Sequence, residues 1–275
     1  MNLKQALGGR LSKKELALLP RAFDVVGEIA ILHLPAALKR REKIIGQELL
    51  KLRHIKTVVN KVGKFSGRLR KASYKVITGL KSFETVHKES ACRIKLNISK
   101  VYFSPRLSSD RLEIAHQIHK GEKVLVAFAG ALPYPIVIAK NSPAGEIWAN
   151  ELNKDAAKYA LENIKLNKIS NLKFLPGDFK KVALVLKRKK QKFNRIVMPR
   201  PQLKETFLKE AFMLTKKGST VNYHDFLLEE DLHNAPARIQ QEARKAGKKV
   251  RILGWKKIGE IAPRKYRVRV DFKVL

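Results

Sequence analysis

The sequence predicts an α/β chain in which a Rossmann-like domain with a parallel, doubly wound sheet follows a small α+β module. From residue 123 onward, short apolar stretches alternate with helical patterns, which is typical of βαβ units. Before that point, short alternating stretches follow one another with glycine or polar turns between them, as in antiparallel strands. The length of 275 residues fits two units, at roughly 150 residues per domain.

The carboxyl-terminal part contains five predicted strands of a parallel sheet, at residues 123–128, 146–150, 172–175, 195–198 and 219–223. Helical patterns lie near residues 154–167 and 203–215. Because a strand, a crossover and a second parallel strand form one right-handed unit, this alternation predicts an open sheet with helices on both faces. The tail adds alternating segments at 249–253 and 266–272, which we expect to pair as an antiparallel hairpin at one sheet edge.

The amino-terminal part predicts a small, mostly antiparallel module that begins with a short strand around residues 29–31 and a helix at 38–52. Further short strands are predicted at residues 57–60, 74–77, 92–97 and 100–103. A helix is predicted to begin near Ser108, and the βαβ pattern follows it. We therefore divide the chain into a basic α+β module at residues 1–110 and a Rossmann-like domain at 111–275.

The charge balance points to a polyanionic partner. Lys and Arg number 59 against 24 Asp and Glu, for a formal net charge of +35, while a hydrophobic content of 44% argues against a disordered basic tail. Such a surface concentrates polyanions and neutralises phosphates. Solubility or heat stability through ion-pair networks is the alternative, but the carboxylates are too few to pair most of the cations. Nucleic acid is therefore the leading partner.

Several classes of protein are disfavoured by the sequence. The single cysteine, Cys92, excludes an internal disulfide and a Cys-based zinc cluster, and no CxxC or HExxH spacing occurs, so we expect no metal. No apolar run approaches the ~20 residues needed to span a bilayer. We expect a cytoplasmic monomer without a membrane partner.

Three residues at predicted strand ends suggest a nucleoside pocket, because ligands of open α/β sheets bind beyond the carboxyl ends of the strands. Gly130 follows the first strand and lets the backbone approach a cofactor, although an ordinary tight turn explains one glycine equally well. Glu151 ends the second strand, where an acid accepts ribose hydroxyls. Asp178 follows the third strand and can accept from an adenine amino group. Each alone would suit a solvated carboxylate or a turn, and their shared position supports all three together.

Three ordered motifs carry a family resemblance: Val101-Tyr102-Phe103-Ser104-Pro105-Arg106-Leu107, Phe128-Ala129-Gly130 and Glu162-Asn163-Ile164-Lys165-Leu166-Asn167-Lys168. Further matching segments lie at residues 23–30, 221–226 and 261–264. Together they resemble the archaeal and eukaryotic tRNA (guanine-37-N1) methyltransferase family and the related aminocarboxypropyl-transferring enzymes of wybutosine synthesis. The resemblance covers roughly residues 23 to 275 and implies a class I S-adenosylmethionine-dependent methyltransferase domain acting on tRNA. It also implies that the module at residues 1–110 docks the tRNA.

The resemblance also implies roles for individual residues. Beside the three strand-end residues, Phe128 and Pro199 are expected to bind the cofactor. Methylation of guanine N1 requires loss of a ring proton and tolerance of negative charge at O6, so a base and a cation are needed. The resemblance places the base at Asp110 and the cation at Arg106 or Arg70.

Contacts with RNA are expected mainly from cations. Lys64 and Arg68 belong to a cluster around a glycine turn beside an aromatic residue, which suits phosphate contact and base stacking, although a solvated hairpin is a fair competitor. We add Arg111 and Arg200 as candidate RNA contacts. The basic run at residues 187–192 either attracts phosphate or is a solvated loop, and we assign it no catalytic role.

Departures from the family pattern keep two alternatives open. Val126 and Leu132 stand where members carry an acid and a second glycine, and Pro199 replaces a polar residue of an Asn-Leu-Pro motif. The first alternative is a catalytically silent relative that retains RNA binding after losing methyl transfer. The second is aminocarboxypropyl transfer, supported by the similarly short amino-terminal part of those enzymes. Arg106 favours methyl transfer, because the aminocarboxypropyl enzymes tend to lack that arginine.

Overall fold

The computed structural model describes residues 3–67 and 71–275, and of residues 64–66 and 71 it describes the backbone alone. The chain divides into two compact units. The first comprises residues 1–88 and 93–105, and the second comprises residues 89–92 and 106–275. The division therefore falls five residues before the expected boundary at 110, so that Arg106 and Asp110 both belong to the second unit.

The first unit is built from short elements around a four-stranded sheet. Its helices and strands are α1 (Leu3–Ala6), α2 (Lys13–Leu18), β1 (Asp24–Val26), β2 (Ile29–Leu32), a 3-10 helix (Ala36–Arg41), α3 (Glu42–Leu50), β3 (Thr57–Ser66) and β4 (Lys71–Gly79). The strand order is β1-β2-β3-β4, with only the β2–β3 pair parallel. β5 (Glu84–Glu89) and β6 (Cys92–Asn97) form a separate two-stranded sheet.

An apolar core holds the first unit together. Leu32 from β2, Ile45 and Leu49 from α3 and Val58 from β3 are all fully buried in one cluster. Ile45 and Leu49 are four residues apart, so both lie on the face of α3 that packs against the sheet. Burying each such side chain contributes about 1.5–3 kcal/mol.

The second unit is an open seven-stranded sheet flanked by helices. Its elements are a 3-10 helix (Pro105–Leu107), α4 (Ser108–His116), β7 (Lys123–Val126), α5 (Pro133–Asn141), β8 (Glu146–Glu151), α6 (Lys154–Leu166), β9 (Leu172–Pro176), α7 (Phe179–Arg188), β10 (Phe193–Met198), α8 (Leu208–Leu214), β11 (Thr215–Leu228), a 3-10 helix (Glu229–Asn234), α9 (Ala235–Lys245), β12 (Val250–Ala262) and β13 (Lys265–Val274). The strand order is β12-β13-β11-β10-β7-β8-β9.

The pairing directions confirm the predicted Rossmann-like class. Strands β7 to β11 are mutually parallel, whereas β13 pairs antiparallel with both β11 and β12 as the predicted hairpin. Successive residues of β7 point to opposite faces, so Leu125 joins the apolar cluster on one side and Val124 and Val126 join the cluster on the other. Burial of both faces explains why these strands are continuously apolar in sequence.

The five parallel strands all end along one border of the sheet and all begin along the opposite border. We call the edge where they end the carboxyl edge and the edge where they begin the amino edge. Side chains cap the helices that start at the carboxyl edge: Asn153 accepts from the backbone N–H of Asp155 at the start of α6, and Asp178 accepts from Lys180 N–H at the start of α7.

One predicted strand is absent from the described structure. Residues 98–100 form a turn and residues 101–103 belong to no strand, because Asn97 makes local hydrogen bonds with this segment. Its carbonyl accepts from the N–H groups of Lys100 (3.1 Å) and Val101 (3.0 Å), and its side-chain oxygen accepts from Ser99 N–H (3.0 Å). Asparagine commonly competes with strand pairing in this way. The apolar alternation at 100–103 was therefore misleading.

The turn between β1 and β2 tolerates only glycine. Gly27 has φ +55°, its N–H donates to His87 Nδ1 at 3.1 Å, and an added Cβ would lie 2.2 Å from Thr85 Oγ1. A left-handed backbone costs an L-residue about 1–2 kcal/mol, and overpacking adds about 1–3 kcal/mol. We expect Gly27→Ala to destabilise the protein by about 3 kcal/mol in urea unfolding.

Gly63 provides the matched control. It also has a positive φ, +79°, but an added Cβ there would meet no atom within 4 Å. Gly63→Ala should therefore cost only the backbone term, about 1 kcal/mol. Equal losses for the two variants would show that the close approach of Thr85 does not constrain the turn.

Candidate active site

The turn that follows β7 brings the backbone to the carboxyl edge in a strained conformation. Phe128, Gly130 and Leu132 have φ values of +57°, +58° and +69°, so three alternate residues occupy the left-handed region. Ala129 N–H donates to Asn150 O at 2.9 Å, which ties the turn to the end of β8. Positive φ for Phe128 and Leu132 is costly, and such strain is typical of functional turns.

Glu151 holds this turn in place. Its Oε2 accepts from Gly130 N–H at 2.7 Å, and its Oε1 accepts from Asn153 N–H at 2.6 Å. Burial raises the pKa of this carboxyl, and the backbone donors of Asn153 and Gly130 oppose that rise. Each carboxylate oxygen has two lone pairs, so a hydroxyl donor can be added to both. The arrangement is suited to the two hydroxyls of a ribose.

The other expected cofactor residues lie along the same edge. Phe128 packs its ring against Phe179 and Phe207, with centroid distances of 5.2 and 4.9 Å. Asp178 caps α7 directly after β9, and Pro199 directly follows β10. The structure thus places the predicted residues at the ends of four adjacent strands, which is the geometry of a nucleoside site in this fold.

The two departures in the β7 turn do not change its backbone path. Leu132 keeps a left-handed φ where a glycine was expected, and its side chain is fully buried in the apolar cluster that also contains Val126. Burial of a leucine contributes about 1.5–3 kcal/mol, enough to offset the cost of the strained backbone. Val126 provides no carboxylate where family members carry an acid. The carboxylate that contacts this turn is that of Glu151.

Asp110 belongs to a buried cluster of charged and polar side chains. It lies in the first turn of α4, only 4% exposed. Oδ1 accepts from Arg269 Nη1 at 2.6 Å, and Oδ2 accepts from the Tyr134 hydroxyl at 2.6 Å. His224 Nε2 lies 3.1 Å from Oδ2. Arg269 also contacts Glu113 (2.5 Å), so one guanidinium joins two acids of the same helix.

The electrostatics of this cluster fix its charge states. Burial opposes ionisation of Asp110, but His224, Tyr134 and Arg269 outweigh it and hold the pKa of the carboxyl well below its usual range. Burial lowers the pKa of His224, against the opposing effect of Asp110, with Arg267 and Arg269 also lowering it. Asp110 is therefore ionised and His224 neutral, which makes Asp110 a weak proton acceptor at neutral pH.

The sequence did not single out the partners of Asp110. His224 and Tyr223 lie on β11, where Tyr223 pairs with Met198 at the end of β10, so His224 is at the carboxyl edge. Arg269 reaches the cluster from β13, which lies 159 residues after Asp110 in the chain. The one available signal was the alternation of arginines with valines at residues 267–270.

Two expected RNA contacts lie inside the second unit. Arg111 is 1% exposed and pairs with Glu89 through both Nε and Nη2 at 2.5 Å. Arg200 is 3% exposed, with Nη2 on Asp225 and Nη1 on the Leu203 carbonyl at 2.9 Å. The structure corrects both assignments, because their guanidinium groups are engaged and removed from solvent. They act as internal ion-pair partners rather than as contacts for phosphate.

The remaining predicted residues are placed as follows. Arg106 is exposed, in the 3-10 helix that precedes α4. Arg68 and Arg70 lie outside the described residues, and the side chain of Lys64 is likewise outside them. Across the described part of the chain, no group of three or more His, Cys, Asp or Glu is arranged to hold a metal ion. None of the described helices is long and apolar enough to cross a membrane.

The Asp110 cluster should contribute stability in a pH-dependent way. Removing one partner of a buried ion pair costs about 3–5 kcal/mol, so Asp110→Asn should lower the free energy of unfolding by about 3 kcal/mol at neutral pH. A depressed folded-state pKa contributes stability that is present above the unfolded pKa of about 3.9 and is lost as pH falls below it. Urea unfolding should give the same wild-type-to-variant difference at about pH 7 and pH 5, and a smaller one near pH 3.

Glu230→Gln is the control for this measurement, since Glu230 is exposed. It should change the free energy of unfolding by less than about 0.5 kcal/mol at each pH. An Asp110→Asn effect that already declines between about pH 7 and pH 5 would contradict the depressed pKa.

Comparison with known proteins identifies the relatives of both units. Residues 85–253 match the TRM5/TYW2 methyltransferase domain, and residues 3–82 match the TYW2 N-terminal domain. The tRNA (guanine(37)-N(1))-methyltransferase Trm5b of Pyrococcus abyssi is 36% identical over 258 residues, which is 93% of this chain and 76% of that protein.

Two further relatives represent the two activities. A solved complex of aTrm5 with tRNALeu superposes with a TM-score of 0.87 at 26% identity, covering 100% of this chain and 78% of that one. The tRNA(Phe) (4-demethylwyosine(37)-C(7)) aminocarboxypropyltransferase of Methanocaldococcus jannaschii is 30% identical over 82% of this chain and 89% of that protein. With the family match covering most of the second unit and the fold in agreement, the resemblance is confirmed: the chain belongs to the TRM5/TYW2 family of S-adenosylmethionine-dependent tRNA-modifying enzymes.

Proposed function

We propose that this protein transfers a methyl group from S-adenosylmethionine to N1 of guanine 37 in tRNA. The observation that carries the proposal is the Glu151 carboxylate holding the β7 turn at the carboxyl edge, with the buried Asp110 cluster at the same edge. The relative with 36% identity over most of the chain, named as a tRNA (guanine(37)-N(1))-methyltransferase, supports the same reaction. We place this activity in the cytoplasm, in a monomer acting on tRNA.

Five residues are proposed to hold the cofactor. Glu151 would accept the ribose hydroxyls, and Gly130 allows the backbone to approach the bound molecule. Asp178 would face the adenine amino group, with Phe128 and Pro199 as apolar walls. When bound, S-adenosylmethionine supplies a methyl group on a positively charged sulfur, which is an electrophile. The protein mainly has to orient the guanine toward it, and orientation alone can supply much of the rate.

We propose the following roles around the guanine. Arg106, which is exposed, remains the proposed cation for the charge that develops on O6. Asp110 is a weak base because its pKa is depressed, so we propose it as a positioning residue that fixes Tyr134 and Arg269. Arg70 stays a candidate for the same task as Arg106.

Aminocarboxypropyl transfer is the second candidate, and a specific observation favours it. Residues 3–82 match the domain found at the amino terminus of TYW2, and the aminocarboxypropyltransferase of Methanocaldococcus jannaschii matches 82% of the chain. The same nucleoside pocket would serve both reactions, because only the carbon on sulfur that faces the nucleophile differs. A catalytically silent RNA-binding relative is the third possibility, and Val126 and Pro199 are the residues that motivate it.

The products distinguish these functions. With a tRNA transcript that carries guanine 37, we expect S-adenosylhomocysteine to form together with N1-methylguanosine, measured by mass spectrometry of the digested tRNA. A transcript with adenosine at that position is the matched control and should give little product. Methylthioadenosine would establish aminocarboxypropyl transfer instead, with tRNA carrying 4-demethylwyosine as its test substrate. No product with either tRNA would contradict both enzymatic functions.

Cofactor binding can be tested without RNA, by isothermal titration with S-adenosylmethionine. Glu151→Gln keeps the size of the side chain but accepts ribose hydroxyls less well, so we expect a loss of affinity of about tenfold or more, comparable to a charged hydrogen bond of 1.5–3 kcal/mol. Because burial raises the pKa of Glu151, wild-type affinity should be highest at neutral pH and fall as pH drops toward that pKa.

Glu162→Gln serves as the control, because Glu162 is exposed on α6 and lies away from the strand ends. Its affinity should equal that of the wild type at each pH. Tight binding that is indifferent to Glu151→Gln would place the ribose elsewhere.

A further inference from the structure

A dense group of cations lies at the amino edge of the second unit, opposite the proposed active site. We call it the amino-edge cluster; its members are Lys187, Arg188, Lys189, Lys190, Lys192, Lys216, Lys217, Lys248, Lys249 and Lys273. Eight of the ten are exposed, and Lys248 and Lys273 are half-buried. They come from four separate parts of the chain, so the sequence shows only the first run of them.

The fold brings these segments together where the strands begin. Lys192 Nζ donates to the Met213 carbonyl at 2.8 Å, which joins the segment before β10 to the end of α8. Burial lowers the pKa of Lys192, and the nearby ammonium groups of Lys248 and Lys187 lower it further. Lysines from two segments that are distant in sequence, 187–192 and 248–249, therefore share one positive region.

The remaining members are held beside them by backbone pairing. The N–H of Leu275 donates to the Lys249 carbonyl at 2.9 Å, which places Lys249 next to the end of β13. Lys273 packs its Cε 3.9 Å from the position a Cβ would take at Gly218, directly after Lys216 and Lys217. The starts of β10, β11 and β12 and the end of β13 thus meet at one edge.

This cluster has no carboxylate to neutralise it. Within the described part of the chain, none of its ten members lies within 4 Å of an acidic oxygen, whereas other cations at the same edge are paired. Glu146 contacts Lys123 (3.0 Å) and Lys173 (2.6 Å), and Glu122 contacts Arg195 (2.9 Å). Glu146 and Glu122 are therefore already paired with cations outside the cluster.

Helix dipoles explain only a small part of the arrangement. Lys187 and Arg188 lie in the last turn of α7, where a cation is stabilised by about 0.3–1 kcal/mol. Lys189 caps α7 and Lys248 follows the end of α9, but the other six members lie in loops or strands. Unpaired like charges at close range are destabilising, so their accumulation indicates an anionic ligand that offsets the repulsion.

We propose that the amino-edge cluster is a second RNA-contacting surface, which binds sugar–phosphate backbone away from the nucleotide that reacts. Lysine ammonium groups act as point charges that bind phosphate without reading sequence. The loops at residues 187–192, 216–218 and 247–249 contain no apolar residue, so they lack the buried anchors that a membrane surface requires. The six residues of β10 separate this surface from the carboxyl edge by roughly 17 Å. The proposal requires RNA binding but not methyl transfer.

The test compares two variants that lose the same charge. The amino-edge variant carries Lys189→Gln, Lys190→Gln, Lys216→Gln and Lys217→Gln. The control variant carries Lys158→Gln, Lys165→Gln, Lys168→Gln and Lys209→Gln, which are exposed positions on and near α6 and α8. Binding of an unmodified full-length tRNA transcript is measured by fluorescence anisotropy at several salt concentrations. Equal urea midpoints confirm that both variants fold.

We expect the amino-edge variant to bind tRNA about tenfold more weakly than the control variant at physiological salt. The magnitude of the slope of log affinity against log salt should fall by about 3 to 3.5, as for the loss of four phosphate contacts. Equal affinities and slopes for the two variants would overturn the proposal.

Vesicles that contain phosphatidylserine are the second probe. The proposal would also be overturned if the wild type bound these vesicles, the amino-edge variant did not, and tRNA binding were unchanged, because the surface would then be a membrane contact. Failure to form any methylated product would leave these binding results unaffected.

Discussion

The ion pair between Arg269 and Asp110 is the constraint on which the second unit's carboxyl edge depends. It joins the first turn of α4 to β13, a strand more than 150 residues later, and it does so in the interior of the protein. Removing two charges from water is costly, so such a pair is maintained only where further donors complete it. Tyr134 donates to the Asp110 carboxylate from α5, and His224 Nε2 lies 3.1 Å from it on β11, which means that four elements meet at one carboxylate. The position of α5, and with it the strained turn that contacts Glu151, follows from this arrangement.

The architecture could be predicted from the sequence because both faces of the sheet are buried. Continuous apolar strands, the spacing of the helices between them and the alternating tail all follow from local patterns, and each matches the structure. The expected strand at residues 100–103 failed, because Asn97 forms local hydrogen bonds that no periodicity reveals. The spacing of apolar residues indicates the order of the helices and strands. The turn after Asn97 instead depends on one polar residue.

The sequence allowed the strand-end cofactor residues to be predicted, but not the buried ion pairs around them. Gly130, Glu151 and Asp178 were found because a parallel sheet brings its strand ends to one edge, so chain position alone locates them. Arg111 and Arg200 were expected to contact RNA, and only the tertiary structure shows that they are buried in ion pairs with Glu89 and Asp225. His224 and Arg269 were not identified, since their role comes from contacts across more than 100 residues of sequence. The division of the cations into buried, paired ones and exposed, unpaired ones is likewise a product of folding.

The long edge strand β12 has a consequence for the behaviour of the folded protein at high concentration. Its thirteen residues lie at the end of the strand order, and its pairing with β13 shifts register at three places, between Ile252 and Gly254, between Lys257 and Gly259 and between Glu260 and Ala262. A regular edge of this length would present a row of backbone groups on which another chain can extend the sheet. Each shift bends the strand and interrupts that row, and Lys256 and Lys257 add charge to it. Strand-by-strand aggregation through this edge is thereby disfavoured, even though Leu253 and Ile261 are exposed along it.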